Sequence, residues 1–237
     1  MNFINIDVKK YNNFHIIDHP LIKHKITHIR NKYTSKKEFK ELIDEVGIFL
    51  ACEITKDFPL QSVEVETPLM ITKAKILSNK KPVLVPILRA GVGMIDGFLK
   101  IMPSAKIGHI GISRDEKTFK PTSWYYKLPI DSEDRTIILI DPMLATGGSA
   151  VEAANKIKAA GVKKIKFMCL IAAPEGVKYF CETHPDIEVY SACLDEKLDE
   201  NAYILPGLGD AGDRLCGTKP NLHTKKKSYM GIKYKKS

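Results

Sequence analysis

An aspartate, two adjacent glycines and two hydroxyls follow a buried strand in the run Thr-Ile-Ile-Leu-Ile-Asp-Pro-Met-Leu-Ala-Thr-Gly-Gly-Ser at 136–149, and together they could hold a sugar phosphate. Ile137 to Ile140 form a continuous β-branched and aliphatic run, the pattern of a strand covered on both faces. Asp141 then falls at the strand's carboxyl end, where open α/β sheets bind their ligands. From Ser149 the chain reads as a helix, with Val151, Ala154 and Ile157 on one face and Gly161 as its stop. The loop between them offers backbone N–H groups at the positive end of a helix dipole, which suits a phosphate dianion. Thr146 and Ser149 can add hydroxyl donors, and Gly147 and Gly148 let the backbone come close. Strand, glycine loop and helix are also the ordinary grammar of a doubly wound sheet, so this run alone does not decide the ligand. It is not a Walker loop: the Gly-x-x-x-x-Gly-Lys-Ser/Thr spacing is missing, and the acid precedes the loop, where it can accept from ribose hydroxyls.

Asp141 to Ser149 resembles the phosphoribosyl-diphosphate signature of phosphoribosyltransferases, in the form typical of the uracil phosphoribosyltransferase family. Many members of the wider group carry two adjacent acids here; this chain has Pro142 in the second place, so one carboxylate must serve for two. Two further segments are similar to the same family. Pro82 to Ala90 reads Pro-Val-Leu-Val-Pro-Ile-Leu-Arg-Ala, a buried strand ending in a cation and followed by Gly91 and Gly93. Residues 203–214 read Tyr-Ile-Leu-Pro-Gly-Leu-Gly-Asp-Ala-Gly-Asp-Arg, too glycine-rich for a regular element. The early run His-Pro-Leu-Ile-Lys-His-Lys at 19–25 agrees as well, and the likeness holds its order and spacing from about Asp18 to Lys219.

The resemblance implies an activity and a division of labour. The reaction is displacement at the anomeric carbon of 5-phospho-α-D-ribose 1-diphosphate (PRPP) by uracil, giving UMP and diphosphate in pyrimidine salvage. PRPP contacts are carried over to Arg89, Arg114, Asp141, Pro142, Met143, Leu144, Ala145, Thr146, Gly147, Gly148, Ser149 and Asp210, and uracil contacts to Ile204, Gly209, Asp210 and Ala211. Arg89, Arg114, Asp141 and Asp210 carry the catalytic roles. The chemistry of the residues agrees with this assignment. A forked guanidinium suits a diphosphate better than a point charge does. Glycine and alanine allow a flat pyrimidine close to the main chain, whose N–H and C=O groups can match uracil and mispair with cytosine. Mg2+ is expected to arrive with PRPP and keep its waters, with Asp210 reaching it through one of them, since no His, Asp and Glu cluster suggests an all-protein cage. The resemblance also implies a cis peptide in the Arg89 loop and a hood over the active site. A polar segment from Arg114 to Lys127 reads as a loop that serves as a lid, with Trp124, Tyr125 and Tyr126 packing the lid or a subunit contact.

The elements that must position these residues follow from periodicity. Phe39, Leu42, Ile43, Val46 and Phe49 are spaced for a helix over Lys37 to Phe49, opened by Ser35 with Glu38 three residues on. After an irregular start and this helix, Val63 to Glu66 alternates as a strand, and Thr67-Pro68 leads into a predicted helix ending near Asn79. Strand–helix units follow at 82–102, 106–112 and 136–160, then a strand at 164–172, a helix at 175–183 and a strand at 187–194. Such alternation implies an α/β fold, a parallel sheet flanked by helices with right-handed connections. The chain is read as one domain over 1–218, with a core of about 80–195 and a hood from 1–79 and 196–218.

Composition narrows the class further. The formal charge of +9 is concentrated in residues 219–237, which hold seven lysines and no acid; residues 1–218 carry 30 basic against 28 acidic residues. That end is expected to be a solvated, disordered tail rather than a dedicated nucleic-acid or membrane contact. The five cysteines lack a Cys-x-x-Cys pair and sit largely in apolar runs, so reduced thiols are expected. No apolar stretch approaches the roughly 18 residues that span a bilayer, and the first residues lack a signal-peptide pattern, which points to the cytoplasm. Two other readings stay open: a pyrimidine-responsive RNA-binding regulator of the same fold, and a phosphoribosyltransferase for another base. A homo-oligomer, dimer or tetramer, is expected, with GTP a candidate activator.

Overall fold

Along each central strand, alternate residues feed two separate apolar cores, one on each face of a single sheet. The computed structural model describes residues 6–114 and 121–218, and only the backbone of Arg114 and Pro121. The chain begins with β1 (Phe14–Ile16), α1 (Pro20–Arg30) and α2 (Lys36–Ile54), followed by β2 (Leu60–Glu66) and β3 (Ile71–Leu77). Next come β4 (Val83–Leu88), a 3-10 turn (Ala90–Met94), α3 (Ile95–Ile101), β5 (Lys106–Ile107), β6 (His109–Arg114) and β7 (Pro121–Lys127). The second half holds β8 (Thr136–Ile140), β9 (Met143–Leu144), α4 (Gly148–Ala159), β10 (Lys164–Ala172), α5 (Pro174–Thr183) and β11 (Glu188–Leu194). Two short strands, β12 (Lys197–Leu198) and β13 (Ile204–Leu205), and α6 (Ala211–Cys216) close it.

The main sheet has the order β1-β11-β10-β8-β4-β6-β7, with β5 beside β4 and β9 beside β10, and every pair is parallel except β6 with β7. Leu84, Ile138, Ile140, Met168 and Leu170 face a core shared with α1, α2 and α3, through Ile22, Phe39, Ile43, Leu50 and Phe98. Val83, Val85, Ile137, Leu139 and Phe167 face the other, against Val151, Ala154 and Ile157 of α4 and Val177 and Phe180 of α5. The expected α/β architecture is the observed one. The start of α2 is as read: the Ser35 side chain accepts from the Glu38 amide. Gly161, in the left-handed region at φ 84°, follows α4 where a stop was expected.

Four local readings are corrected. The stretch after Thr67-Pro68 is not a helix: β2 and β3 form an antiparallel hairpin, with Thr67 bonded to Met70 across its turn. Lysine and alanine in Ile71–Leu77 favour a helix by propensity, but pairing with β2 decides the conformation. The segment 114–127 is largely not an irregular loop, since β7 runs back along β6 at the sheet edge; residues 115–120, the middle of the expected lid, lie outside the described residues. Among the described residues no α-helix stands between the 106–112 strands and β8. Within the irregular start, β1 adds an edge strand beside β11. The lysine-rich 219–237 also lies outside the described residues.

Helices α2 and α3 cross where Gly97 replaces a side chain. A Cβ there would lie 2.3 Å from the Asp44 carbonyl oxygen, in backbone that cannot yield cheaply. Gly97→Ala is expected to lower unfolding free energy by about 1–3 kcal/mol through overpacking. A denaturant titration checks it, and an unchanged midpoint would refute the close crossing.

Candidate active site

Strands β4 and β8 lie side by side in parallel, so Arg89 and Asp141, each just past a strand, come out at the same end of the sheet. The turn after Arg89 is pressed onto β8: a Cβ on Gly91 would sit 2.4 Å from the Ile140 carbonyl oxygen. The Leu88–Arg89 peptide is cis, as the family resemblance implied. Arg89 is exposed, its carbonyl accepts from the Val92 amide, and its side chain makes no hydrogen bond or ion pair among the described residues, so the surface ion pair that would explain it structurally is not there.

Between β8 and α4 the loop divides into an anchored half and an open half. Pro142 and Leu144 are buried, and their carbonyl oxygens accept from the amides of Leu170, Ile171 and Ala173, tying the loop to β10. Met143 pairs with Ile171 in the same short ladder, and Ala145 is partly buried beside it. The first intrahelical bond of α4 runs from the Val151 amide to the Gly147 carbonyl, so the amides of Gly148, Ser149 and Ala150 precede the helical ladder. Gly147 stands at φ 83°, a conformation that a side chain would strain. The first turn of α5 backs the loop so tightly that a Gly176 Cβ would come within 2.3 Å of the Ala145 carbonyl oxygen. Thr146 and Ser149 are both partly exposed on the open half.

The Asp141 carboxylate has little help in carrying its charge. One oxygen accepts from the Met143 amide at 3.3 Å, a long bond. Burial of the carboxyl group outweighs it and pushes the pKa up to about 7, although part of the residue still reaches solvent. A strongly raised acid at a strand's carboxyl end is a mark of a functional site.

The third segment arrives from the far end of the chain. Ile204 and Ala211 are buried, and Gly209, at φ 79°, has open space where a Cβ would be. Asp210 caps α6, with Oδ1 accepting from the Asp213 amide at 2.7 Å. The α6 turn meets the Arg89 turn, since Gly212 lies against Ala90 and Gly93 against Leu215. Arg89, Asp141 and the 204–211 loop therefore converge through the 3-10 turn. Arg114 ends β6, one strand further along the same sheet, and nothing further is placed for it. His19, from the early motif, caps α1 through its Nδ1 and the Leu21 amide. Trp124 lies across Gly111 on the neighbouring strand.

A model of the uracil phosphoribosyltransferase family matches residues 16–218. The chain belongs to that family. A uracil phosphoribosyltransferase of Lysinibacillus sphaericus is 61% identical over 205 residues, covering 86% of this chain and 98% of the relative. The Anoxybacillus flavithermus protein of the same name is 60% identical over the same shares. A solved structure, the AQ2163 protein of Aquifex aeolicus, superposes with a TM-score of 0.80 at 39% identity, covering 85% of this chain and 97% of that one. Not read from sequence were the roles of Arg30, Asp195 and Arg214, the last of them the end residue of the 203–214 run; their side chains join the 204–211 loop to the rest of the fold. Arg30 and Asp195 are 165 residues apart, and no local pattern announces the pair.

Proposed function

We propose that the chain forms UMP from uracil and PRPP, with the 5′-phosphate on the amides and hydroxyls of Thr146 to Ser149. The observation that carries this reading is the convergence of an unpaired arginine, a raised-pKa aspartate and a capped glycine loop at one end of a parallel sheet. Asp141 accepts from the ribose hydroxyls, Arg89 and Arg114 neutralise the diphosphate, and Ile204, Gly209, Asp210 and Ala211 receive the pyrimidine. Pro142, Met143, Leu144 and Ala145 hold the loop in shape. Uracil N1 bonds to the anomeric carbon as the bond to the diphosphate oxygen breaks, and the N1 proton is released. Charge gathers on the leaving group, where preorganised cations are most effective.

Among the described residues no three His, Cys, Asp or Glu side chains come together to hold a metal. Mg2+ bound to the diphosphate would neutralise its charge and keep several waters. Asp210, one of whose oxygens caps α6, is the carboxylate proposed to accept from such a water.

The same reading covers assembly and setting. The chain is one domain over 1–218, and the segments 1–79 and 196–218 are joined by the arginine contacts of Arg30 and Arg214. A homo-oligomer is supported by the β2–β3 hairpin, a two-stranded sheet of its own with Leu69, Met70, Ile71 and Ile76 exposed. Such a hairpin is marginal alone in water and gains from a partner surface. GTP stays a candidate activator on the family resemblance; a largely apolar cavity of about 900 Å³ lies beside the Arg89 turn, lined by Val92, Ile95, Leu99, Ile107 and Leu215 with Lys36 and Lys37 at hand. No described helix is long and apolar enough to cross a membrane; the proposed setting is the cytoplasm.

The test is UMP formation with uracil, cytosine, hypoxanthine and xanthine in turn, with and without Mg2+ and GTP. Product from uracil alone is expected, and product from another base instead would overturn the substrate assignment.

A further inference from the structure

The loop that carries the base-facing residues is held by two arginines that belong to neither substrate. Arg30, the last residue of α1, makes a forked pair with both carboxylate oxygens of Asp195 and donates from Nη1 to the Gly207 carbonyl at 2.7 Å. Asp195 Oδ2 accepts in turn from the Gly207 amide at 2.9 Å, so both polar groups of that glycine are fixed. The Asp195 side chain is 1% exposed, and its own amide donates to Ala172 at the end of β10. One residue on, the Leu208 carbonyl accepts from Arg214 Nη1 at 2.8 Å. The same guanidinium also donates to the Ile29 and Asn31 carbonyls at the end of α1 and stacks on Phe39. Residues 207 and 208 are thereby referenced both to the strand ends that carry the phosphate loop and to α1. Gly209, Asp210 and Ala211 begin where the tied stretch stops.

We propose that Arg30, Asp195 and Arg214 are positioning residues for the pyrimidine, setting the distance between the 209–211 backbone and the anomeric carbon. The proposal rests on the uracil-transfer reading above. The three side chains make their hydrogen bonds outside Arg89 and the 141–149 loop; Arg214 meets Asp210 through its main-chain amide, which a lysine keeps. Relaxing the clamp therefore moves the nucleophile's platform and leaves the PRPP cup in place. Displacements of about 1 Å at a reacting centre cost on the order of 100-fold in rate. A guanidinium is required because four acceptors, two on Asp195, the Gly207 carbonyl and the Cys193 sulfur, lie around one side chain, and an ammonium lacks the rigid fork to meet them together.

The decisive comparison is steady-state kinetics of wild type, Arg30→Lys and Arg214→Lys with each substrate varied. The expected result is at least about a tenfold loss of kcat/KM for uracil, with KM for PRPP within about twofold of wild type. Unchanged uracil kinetics, or an equal rise in both KM values, would overturn the clamp. Wild-type protein that makes no UMP would instead sink the uracil-transfer reading. Should either variant fail to fold, residue-resolved amide exchange on the wild type decides. The Gly207 amide should be protected at least about 1,000-fold in the free protein, while the amides of 209–211 gain protection only with UMP. Exchange of Gly207 near the free-peptide rate would remove the clamp.

Discussion

Replacing Asp141 by asparagine should cut UMP formation by roughly 100-fold and, at the same time, make the free protein more stable at alkaline pH. The first effect follows from chemistry at the ribose. An amide keeps the shape but substitutes a weaker, half-donor group for a charged acceptor, and hydrogen bonds to charged groups contribute about 1.5–3 kcal/mol. The second follows from proton linkage. The folded carboxyl holds its proton up to about pH 7, whereas the unfolded chain releases it near the ordinary value of 3.8. Across that window the unfolded state binds fewer protons, so this group's stabilising share is complete below 3.8 and is lost as pH rises through about 7. Asparagine has no charge to desolvate. The two proteins should melt alike near pH 4, and the variant should gain of order 1–2 kcal/mol by pH 8, discounted because Asp141 is partly exposed. Thermal melts at the two pH values and a turnover assay check both halves. Near-wild-type turnover would take Asp141 out of the site, and parallel melts at pH 8 would mean that its charge is well solvated.

Arg89→Lys should cost about 30-fold in kcat/KM for PRPP, near 2 kcal/mol of transition-state stabilisation. Arg89 is exposed and unpaired among the described residues, so the substitution breaks no internal ion pair and should leave the melting temperature unaltered. What changes is geometry at the diphosphate: one ammonium cannot reproduce two parallel donors in a plane. Activity within about threefold of wild type, under 1 kcal/mol, would show that a plain positive charge suffices there.

Much of the fold was legible because burial leaves a mark on composition. The strands β4 and β8 and the 167–172 part of β10 are buried nearly throughout, and their unbroken apolar runs announced them, whereas β11 is a mixed run with Glu188 and Ser191. The hairpin was misread for the opposite reason. Its residues face solvent on both sides, so no core imposed an alternating pattern on Ile71–Leu77, and helix propensity was the only local signal left. In β7 the signal was present: Thr122, Ser123, Trp124, Tyr125 and Tyr126 include good strand formers, and the polar residues before them hid it. At the site, Asp141, Arg89 and the glycine loops could be picked out because each stands where an apolar strand stops. Arg30, Asp195 and Arg214 could not. Their meaning lies in carbonyls and amides from distant parts of the chain, and a single arginine at a helix end looks like a favourable charge on the dipole.

The placement of β1 at the sheet edge bears on how the molecule is born. Phe14 pairs with Val189 and Ile16 with Ser191, so the first strand has no partner until the eleventh has been synthesised. At about 5–20 residues per second, a ribosome takes on the order of ten to thirty seconds to make the intervening chain. Helix α1, meanwhile, waits for α6, because Arg214 satisfies carbonyls at residues 29 and 31. The 204–211 loop and the arginine contacts on it thus close only after residue 214 has emerged, and a nascent chain stalled before that point would have the 141–149 loop built without the 204–211 loop held against the fold.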